Sequence, residues 1–330
     1  MTATASQCPA CYRLLEPSAQ ECPRCAIPSG HSGGPAPSFG AYSTLTSRFA
    51  EPEGDSHDHW EVGSLIRQRY QLLGVLGSGG MGTVYRATDL AESRQVALKV
   101  LDAELLVHRT ASLRMKQEAD ALARVHHANV VHLYQTFESD GRLVLVLELV
   151  AGGTLTQHIA GKGLVADEVL YLLQGLLAGL QAIHEAGLIH RDIKPDNVLL
   201  TAAGVPKLAD LGVARDLLGP PGRHRTQLGT RIGTPYYMSP EQAQGLEVGL
   251  ASDLFSVGVL AFEMLTGRKA FEAESEIEVL AAIVRDQPQV DLLHTRCPAE
   301  MVDVITQALA KHPDHRFGSA RAMARALAQR

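Results

Sequence analysis

Residues 70–100 constrain the fold more than any other stretch. Three short runs of alternating, β-prone residues follow one another closely: Tyr70–Leu76, Thr83–Ala87 and Gln95–Val100. Between the first two lies Gly77-Ser78-Gly79-Gly80-Met81-Gly82, a G-x-G-x-x-G loop. In a dinucleotide-binding fold the last glycine of such a loop opens a helix. Here Thr83, Val84 and Tyr85 follow instead, and these are strand formers. Strand, glycine loop, strand is a hairpin whose bare backbone can lie over the phosphates of a nucleotide. Val96-Ala97-Leu98-Lys99 then ends the third run with a cation. After that hairpin, Lys99 suits the α- and β-phosphates better than a simple strand-end charge.

A helical pattern covers 110–125 and sets Met115, Glu118, Leu122 and Val125 on one face. A carboxylate on an apolar face is costly unless paired, and Lys99 is the expected partner of Glu118. Leu143–Leu149 reads as another strand. Beyond Gly153 the pattern turns mostly helical, through Asp167–Glu185, Ser252–Leu265 and further helices to the end. Strands first and helices after predict an α+β chain in two lobes, sheet-rich over about 65–150 and helical over about 151–330.

The first 60 residues are different material. Cys8-Pro9-Ala10-Cys11 and Cys22-Pro23-Arg24-Cys25 place four of the chain's 5 cysteines in two C-x-x-C knuckles within residues 1–25. Two such turns suit tetrahedral Zn²⁺, and so short a segment needs the metal to fold. A pair of redox dithiols is the competing reading. The pattern resembles the short zinc ribbons attached to bacterial proteins, although Tyr12 and Ala26 stand where a glycine often follows each knuckle. Residues 26–60 are rich in Gly, Pro and Ser and predict a flexible linker. His57 and His59 in it read as polar linker rather than metal ligands.

Composition narrows the function classes. The 330-residue chain is 45% hydrophobic and 20% charged, an ordinary globular balance, with a formal net charge of −6. That charge argues against nucleic-acid binding by bulk electrostatics. The ribbon's Arg13 and Arg24 balance Glu16 and Glu21, which disfavours phosphate contact there as well. The longest nearly uncharged stretch, Val169–Ile183, is too short for a membrane span, and the first ten residues lack a secretory pattern. The expectation is a cytoplasmic protein.

His190-Arg191-Asp192-Ile193-Lys194-Pro195-Asp196-Asn197 is the most specific signal in the chain. With it the sequence resembles eukaryotic-type (Hanks-type) Ser/Thr protein kinases of the bacterial kind, over about residues 65–330, with the domain placed at 61–330. The resemblance implies ATP, Mg²⁺ or Mn²⁺ as cofactors and protein Ser/Thr hydroxyls as substrates. It makes Asp192 the base or hydroxyl-orienting residue and Lys194 a cation for the γ-phosphate. Asn197 and Asp210, the latter in Ala209-Asp210-Leu211-Gly212, become the metal ligands. Leu211 stands where the family usually has Phe. Adenine is expected between Val84 and Ala97 above and Leu199 below. Leu147 guards the inner pocket, and Glu148-Leu149-Val150 forms the hinge.

The same resemblance covers the activation segment, which ends in Gly233-Thr234-Pro235-Tyr236-Tyr237-Met238-Ser239-Pro240-Glu241. Thr234 would bridge the catalytic Asp and Lys, Glu241 would pair with Arg316, and Asp253 would anchor the catalytic loop. Arg191 before Asp192 implies control by loop phosphorylation, with Thr226 as first choice and Thr230 as second. Self-association for autophosphorylation in trans follows from that. His126, His127, His132 and His158 read as satisfied or surface histidines, and Cys297 as structural. Two other readings stay open: a pseudokinase scaffold, and a zinc-ribbon binding module that the kinase regulates.

Overall fold

The computed structural model describes residues 6–7, 14–15, 60–79, 82–101, 117–211 and 235–329. It divides into two units, Met1–Glu61 and Val62–Arg330. In the first unit, strands β1 (Ser6–Gln7) and β2 (Leu14–Leu15) pair antiparallel, Ser6 opposite Leu15 and Gln7 opposite Leu14. The four ribbon cysteines and residues 26–59 lie outside the described residues.

In the second unit, six strands form one antiparallel sheet in the order β3-β4-β5-β6-β8-β7. They are β3 (Leu65–Ile66), β4 (Tyr70–Gly79), β5 (Gly82–Asp89), β6 (Arg94–Leu101), β7 (Leu133–Ser139) and β8 (Arg142–Glu148). The three predicted strands of 70–100 are present, each a little longer than its alternation indicated. β7 has no counterpart in the sequence reading, because Leu133–Ser139 mixes polar and apolar residues on an edge. Helix α1 is described over 117–123, inside the predicted 110–125.

Register decides which side chains share a face of the sheet. Val84 lies opposite Lys99, and Ala97 lies opposite Leu147. Directly opposed residues project to the same side, so Val84, Ala97, Lys99 and Leu147 line one face. Tyr70, Leu72, Tyr85, Val96 and Leu98 are buried. At the end of the β4–β5 ladder remote from the glycine loop, Asp89 is fully buried and takes a two-point bond from Arg69 at 2.7 and 2.8 Å. That hydrogen-bonded guanidinium holds the Asp89 carboxyl below its usual pKa despite burial.

The other lobe contains α2 (Leu155–Ile159), α3 (Ala166–Glu185), the β9 (Val198–Leu200)–β10 (Pro206–Leu208) hairpin and helices α4–α8. The last five are Pro240–Gln244, Leu250–Thr266, Glu276–Arg285, Ala299–Ala308 and Ala320–Ala328. The core is built on α3 and α5; from Ser252 to Leu265 every residue of α5 is buried. No described helix is long and apolar enough to cross a membrane.

Gly179 on α3 allows the backbone of Asn129 to approach. A Cβ there would meet the Asn129 carbonyl oxygen at 2.5 Å, and that oxygen already accepts the Leu208 N–H at 2.9 Å. Alanine is ordinarily the better helix former by about 1 kcal/mol. Gly179→Ala should nevertheless destabilise by about 1–3 kcal/mol, because backbone rather than a flexible side chain must move. Thermal unfolding checks this: a midpoint unchanged or raised would contradict the packing.

Candidate active site

The sheet face that carries Val84, Ala97, Lys99 and Leu147 belongs to one wall of a cleft whose opposite wall is the segment 190–210. Gly82 has φ +130°, and a Cβ on it would lie 1.9 Å from the Val100 carbonyl oxygen, so only glycine fits. Gly77 and Gly79 differ: a Cβ on either would meet nothing within 4 Å. No internal crowding accounts for these two glycines, which fits a loop kept bare for a ligand. Gly80 and Met81 lie outside the described residues.

Across the cleft, Lys99 Nζ donates to Asp210 Oδ1 at 2.8 Å. Desolvation in the cleft by itself raises the Asp210 pKa. The charge and hydrogen bond of Lys99, with help from the charge of Lys194, outweigh it and hold the carboxyl below its usual range. Lys194 Nζ lies 3.2 Å from Asp192 Oδ2. Asn197 Nδ2 donates to the Asp192 carbonyl at 2.8 Å and to Asp192 Oδ2 at 2.9 Å. Its amide nitrogen is thereby turned toward Asp192, which leaves Oδ1 as the oxygen for a cation. Asn197 and Asp210 are hard oxygen donors of the kind Mg²⁺ takes.

The catalytic loop hangs on one carboxylate. Asp253 Oδ2 accepts the His190 N–H at 2.8 Å and Oδ1 accepts the Arg191 N–H at 2.7 Å. The ring of His184 lies 2.8 Å from the same Oδ2. Arg191 has φ +64°, a conformation a side chain rarely adopts without external bonds to hold it. The His190 ring meets the Ala209 carbonyl at 3.0 Å, joining this loop to the residue before Asp210. Burial keeps the His190 pKa low, against the opposing pull of Asp253 and Asp192, so the ring is neutral near pH 7.

The pairing of Glu118 departs from the expectation. Among the described residues the ion pair of Lys99 is with Asp210, and Glu118 Oε1 lies 4.0 Å from Arg191 Nη1. Asp210 is the nearer anion in the cleft, whereas α1 sets Glu118 beside the catalytic loop. Glu118, Arg191 and Leu211 line one small cavity together with Gly187, Leu188 and Ile189.

Glu241 and Arg316 do meet, as expected. Arg316 Nη1 and Nη2 donate to the two Glu241 oxygens at 2.7 and 2.9 Å, with both residues buried. The other guanidinium hydrogens go to the carbonyls of Ala310, Lys311 and Ala251. Ser252 also donates to Glu241. Burial alone would raise the Glu241 pKa, but these donors pull it below its usual value.

Comparison with known proteins matches this architecture to the protein kinase domain family over residues 70–327. The chain belongs to the protein kinase family. Its kinase domain is 40% identical over 258 residues to a probable serine/threonine-protein kinase of Streptomyces coelicolor, covering 76% of this chain and 38% of that protein. It is 41% identical over 270 residues to the serine/threonine-protein kinase PksC of the same organism, covering 79% of this chain and 48% of PksC. The chain thus spans less than half the length of these relatives. Among solved structures it resembles the PknI kinase domain of Mycobacterium tuberculosis, with TM-score 0.65, 27% identity and coverage of 82% of this chain and 98% of that one.

The structure also gives the contacts of other residues named from the sequence. Leu199 bridges to Thr154. Glu148, expected to open the hinge, has its carboxylate engaged by Lys207 at 2.9 Å and by the His132 N–H at 3.2 Å. His158 is paired with Glu168, and His127 accepts the Asn129 N–H. The Cys297 thiol is half-buried and its pKa is pushed up to about 11, which suits an unreactive structural thiol. Thr226, Thr230 and Thr234 lie outside the described residues. Sequence reasoning missed His184 and Gln242, whose side chains reach Asp253 and the Arg191 backbone. It also missed a cluster in which Tyr237, Glu263 and Lys269 bond one another. None of these positions carries a sequence signal of its own.

Arg316→Met should cost about 3–5 kcal/mol, since it strands a buried carboxylate. The sign with pH is set by the depressed Glu241 pKa. The pair's contribution is present above the ordinary carboxyl value of 4.5 and is lost as pH falls through the depressed folded value. In the variant, burial without Arg316 raises the Glu241 pKa, so the stability gap between wild type and variant, measured by urea unfolding, should narrow already as pH falls toward 4.5 and close as it falls through the depressed wild-type value.

Proposed function

We propose that this protein is an ATP-dependent Ser/Thr protein kinase that transfers the γ-phosphoryl group to protein hydroxyls. One observation carries the reading: Lys99, Asp192, Lys194, Asn197 and Asp210 meet at one cleft beneath a face of Val84, Ala97 and Leu147. The apolar face and Leu199 receive adenine. The hinge backbone at Glu148 and Val150 bonds its edge, and the bare Gly77–Gly82 loop covers the phosphates. Lys99 holds the α- and β-phosphates once nucleotide replaces its present bond to Asp210. Asn197 and Asp210 hold Mg²⁺ or Mn²⁺, which when bound offsets charge on the phosphates.

Asp192 orients the substrate hydroxyl and accepts its proton. The hydroxyl oxygen forms the new bond to the γ-phosphorus as the bond to the β–γ bridging oxygen breaks and ADP departs. Lys194 faces the developing charge on the transferred group. A Lys in this place is similar to the Ser/Thr branch, which favours Ser and Thr over Tyr as acceptors.

Regulation and the N-terminal module belong to the same proposal. Phosphate on Thr226, or on Thr230, would give Arg191 a stronger partner than Glu118 at 4.0 Å and release Glu118 toward Lys99. Thr234 would bridge Asp192 and Lys194, and transfer between two copies would install the loop phosphate. Cys8, Cys11, Cys22 and Cys25 hold a structural Zn²⁺. The β1–β2 pair brackets Cys8 and Cys11 in sequence, which supports a hairpin knuckle there.

Labelled phosphate from ATP should enter a generic protein substrate and the protein itself. Asp192→Asn should lower the rate by about 10²- to 10⁴-fold, and an unaltered rate would remove Asp192 from its role. Thr226→Ala should lower activity by about an order of magnitude, whereas full activity in the Thr226→Ala/Thr230→Ala double variant would remove loop control. Elemental analysis should find about one zinc per chain, absent after Cys8→Ser with Cys11→Ser. Equal zinc in both proteins would refute the ribbon.

A further inference from the structure

The peptide that leads into Asp192 is held from an unexpected direction. Its nitrogen side is weakly tied, with the Asp192 N–H 3.4 Å from His190 Nδ1. Its oxygen is the Arg191 carbonyl, and Gln242 Nε2 donates to that oxygen at 2.9 Å. Arg191 sits at φ +64°, and Asp253 holds only its N–H side. Beyond Asp192, Asn197 holds the next carbonyl at 2.8 Å. The Gln242 bond therefore restrains rotation of the peptide that leads into Asp192, in addition to the bonds of Asn197 and Lys194 to the Asp192 carboxylate.

Gln242 is itself fixed. It is the third residue of α4, and its Oε1 accepts the Ser239 N–H at 2.9 Å while Ser239 Oγ accepts the Gln242 N–H at 3.3 Å. This capping box locks the side chain so that its NH₂ faces the catalytic loop. α4 begins at the last two residues of the activation segment, and Glu241, the residue before Gln242, is bound to Arg316. We infer that Gln242 is a positioning residue, whose side-chain amide holds the Arg191 carbonyl, aims Asp192 and makes catalysis depend on the seating of α4.

The inference rests on the proposed kinase activity and predicts something that activity alone does not. Gln242→Glu is the discriminating change. A carboxylate keeps the capping-box acceptor for Ser239 N–H but has no hydrogen to donate to Arg191. The thermal midpoint should stay near that of wild type. The kcat should fall about 10- to 100-fold, while KM for ATP stays within about twofold. As pH is lowered from about 8 to about 6, the introduced carboxylate, held against the Arg191 carbonyl, is partly protonated and regains a donor. The ratio of wild-type to variant kcat should narrow over that range. Gln242→Met, neutral and without a donor, should show the loss without the acid recovery.

A Gln242→Glu enzyme with kcat within about twofold of wild type at every pH overturns the inference and leaves the kinase reading standing. A loss in Gln242→Met with none in Gln242→Glu, or one that tracks the thermal midpoint, reduces Gln242 to a helix cap and also overturns it. Absence of phosphoryl transfer from the wild-type protein removes the kinase reading and this inference with it.

Discussion

Asp253 is 1% exposed, and a lone carboxylate so deep would be costly. It is tolerated because the backbone N–H groups of His190 and Arg191 and the ring of His184 all point at it. Those bonds hold Arg191 in a left-handed conformation and bring Asp192, Lys194 and Asn197 out on one side of the loop. Asp192, Lys194 and Asn197 are therefore fixed from the buried helix α5. This gives a rigid support to the loop on which the proposed phosphoryl transfer places its proton acceptor, a role that tolerates little misplacement.

The opposite wall of the cleft depends on strand register. Lys99 reaches the cleft because it lies opposite Val84 in β5, on the face shared with Ala97 and Leu147. A slip of one residue would turn all of them into the lobe's interior and bring Leu98 out. The arrangement stores charge in a definite pattern: Lys99 on Asp210, Lys194 on Asp192, Glu118 toward Arg191. Each pair sets an anion beside a cation that incoming phosphates can compete for. Glu118 stands 4.0 Å from Arg191 in this arrangement, and in the proposed regulation a loop phosphate on Arg191 would free it for Lys99.

Much of this was legible beforehand. The hairpin, Lys99, the catalytic loop and Asp210 all stood out, because close-range spacing in sequence becomes close-range geometry in a hairpin or a tight loop. The Glu241–Arg316 pair was legible only through resemblance to a family. Seventy-five residues separate its members, and no local pattern joins them. β7 was not legible, since an edge strand of mixed polarity has neither clean alternation nor an apolar run. The partner of Glu118 was misjudged, because helical periodicity assigns a face and not a neighbour.

By itself the sequence determined the order of elements, the glycine at position 82 and the set of ionisable groups that chemistry of this kind requires. These are local matters: periodicity, steric permission at one φ, and residue type. Only the tertiary structure decided that Lys99 rests on Asp210, that His184 completes the shell of Asp253, and that Gln242 reaches the Arg191 carbonyl. Those contacts join segments 51 to 111 residues apart. They depend on the packing of helices and lobes, which places side chains to the nearest ångström and is not encoded in any one stretch of chain.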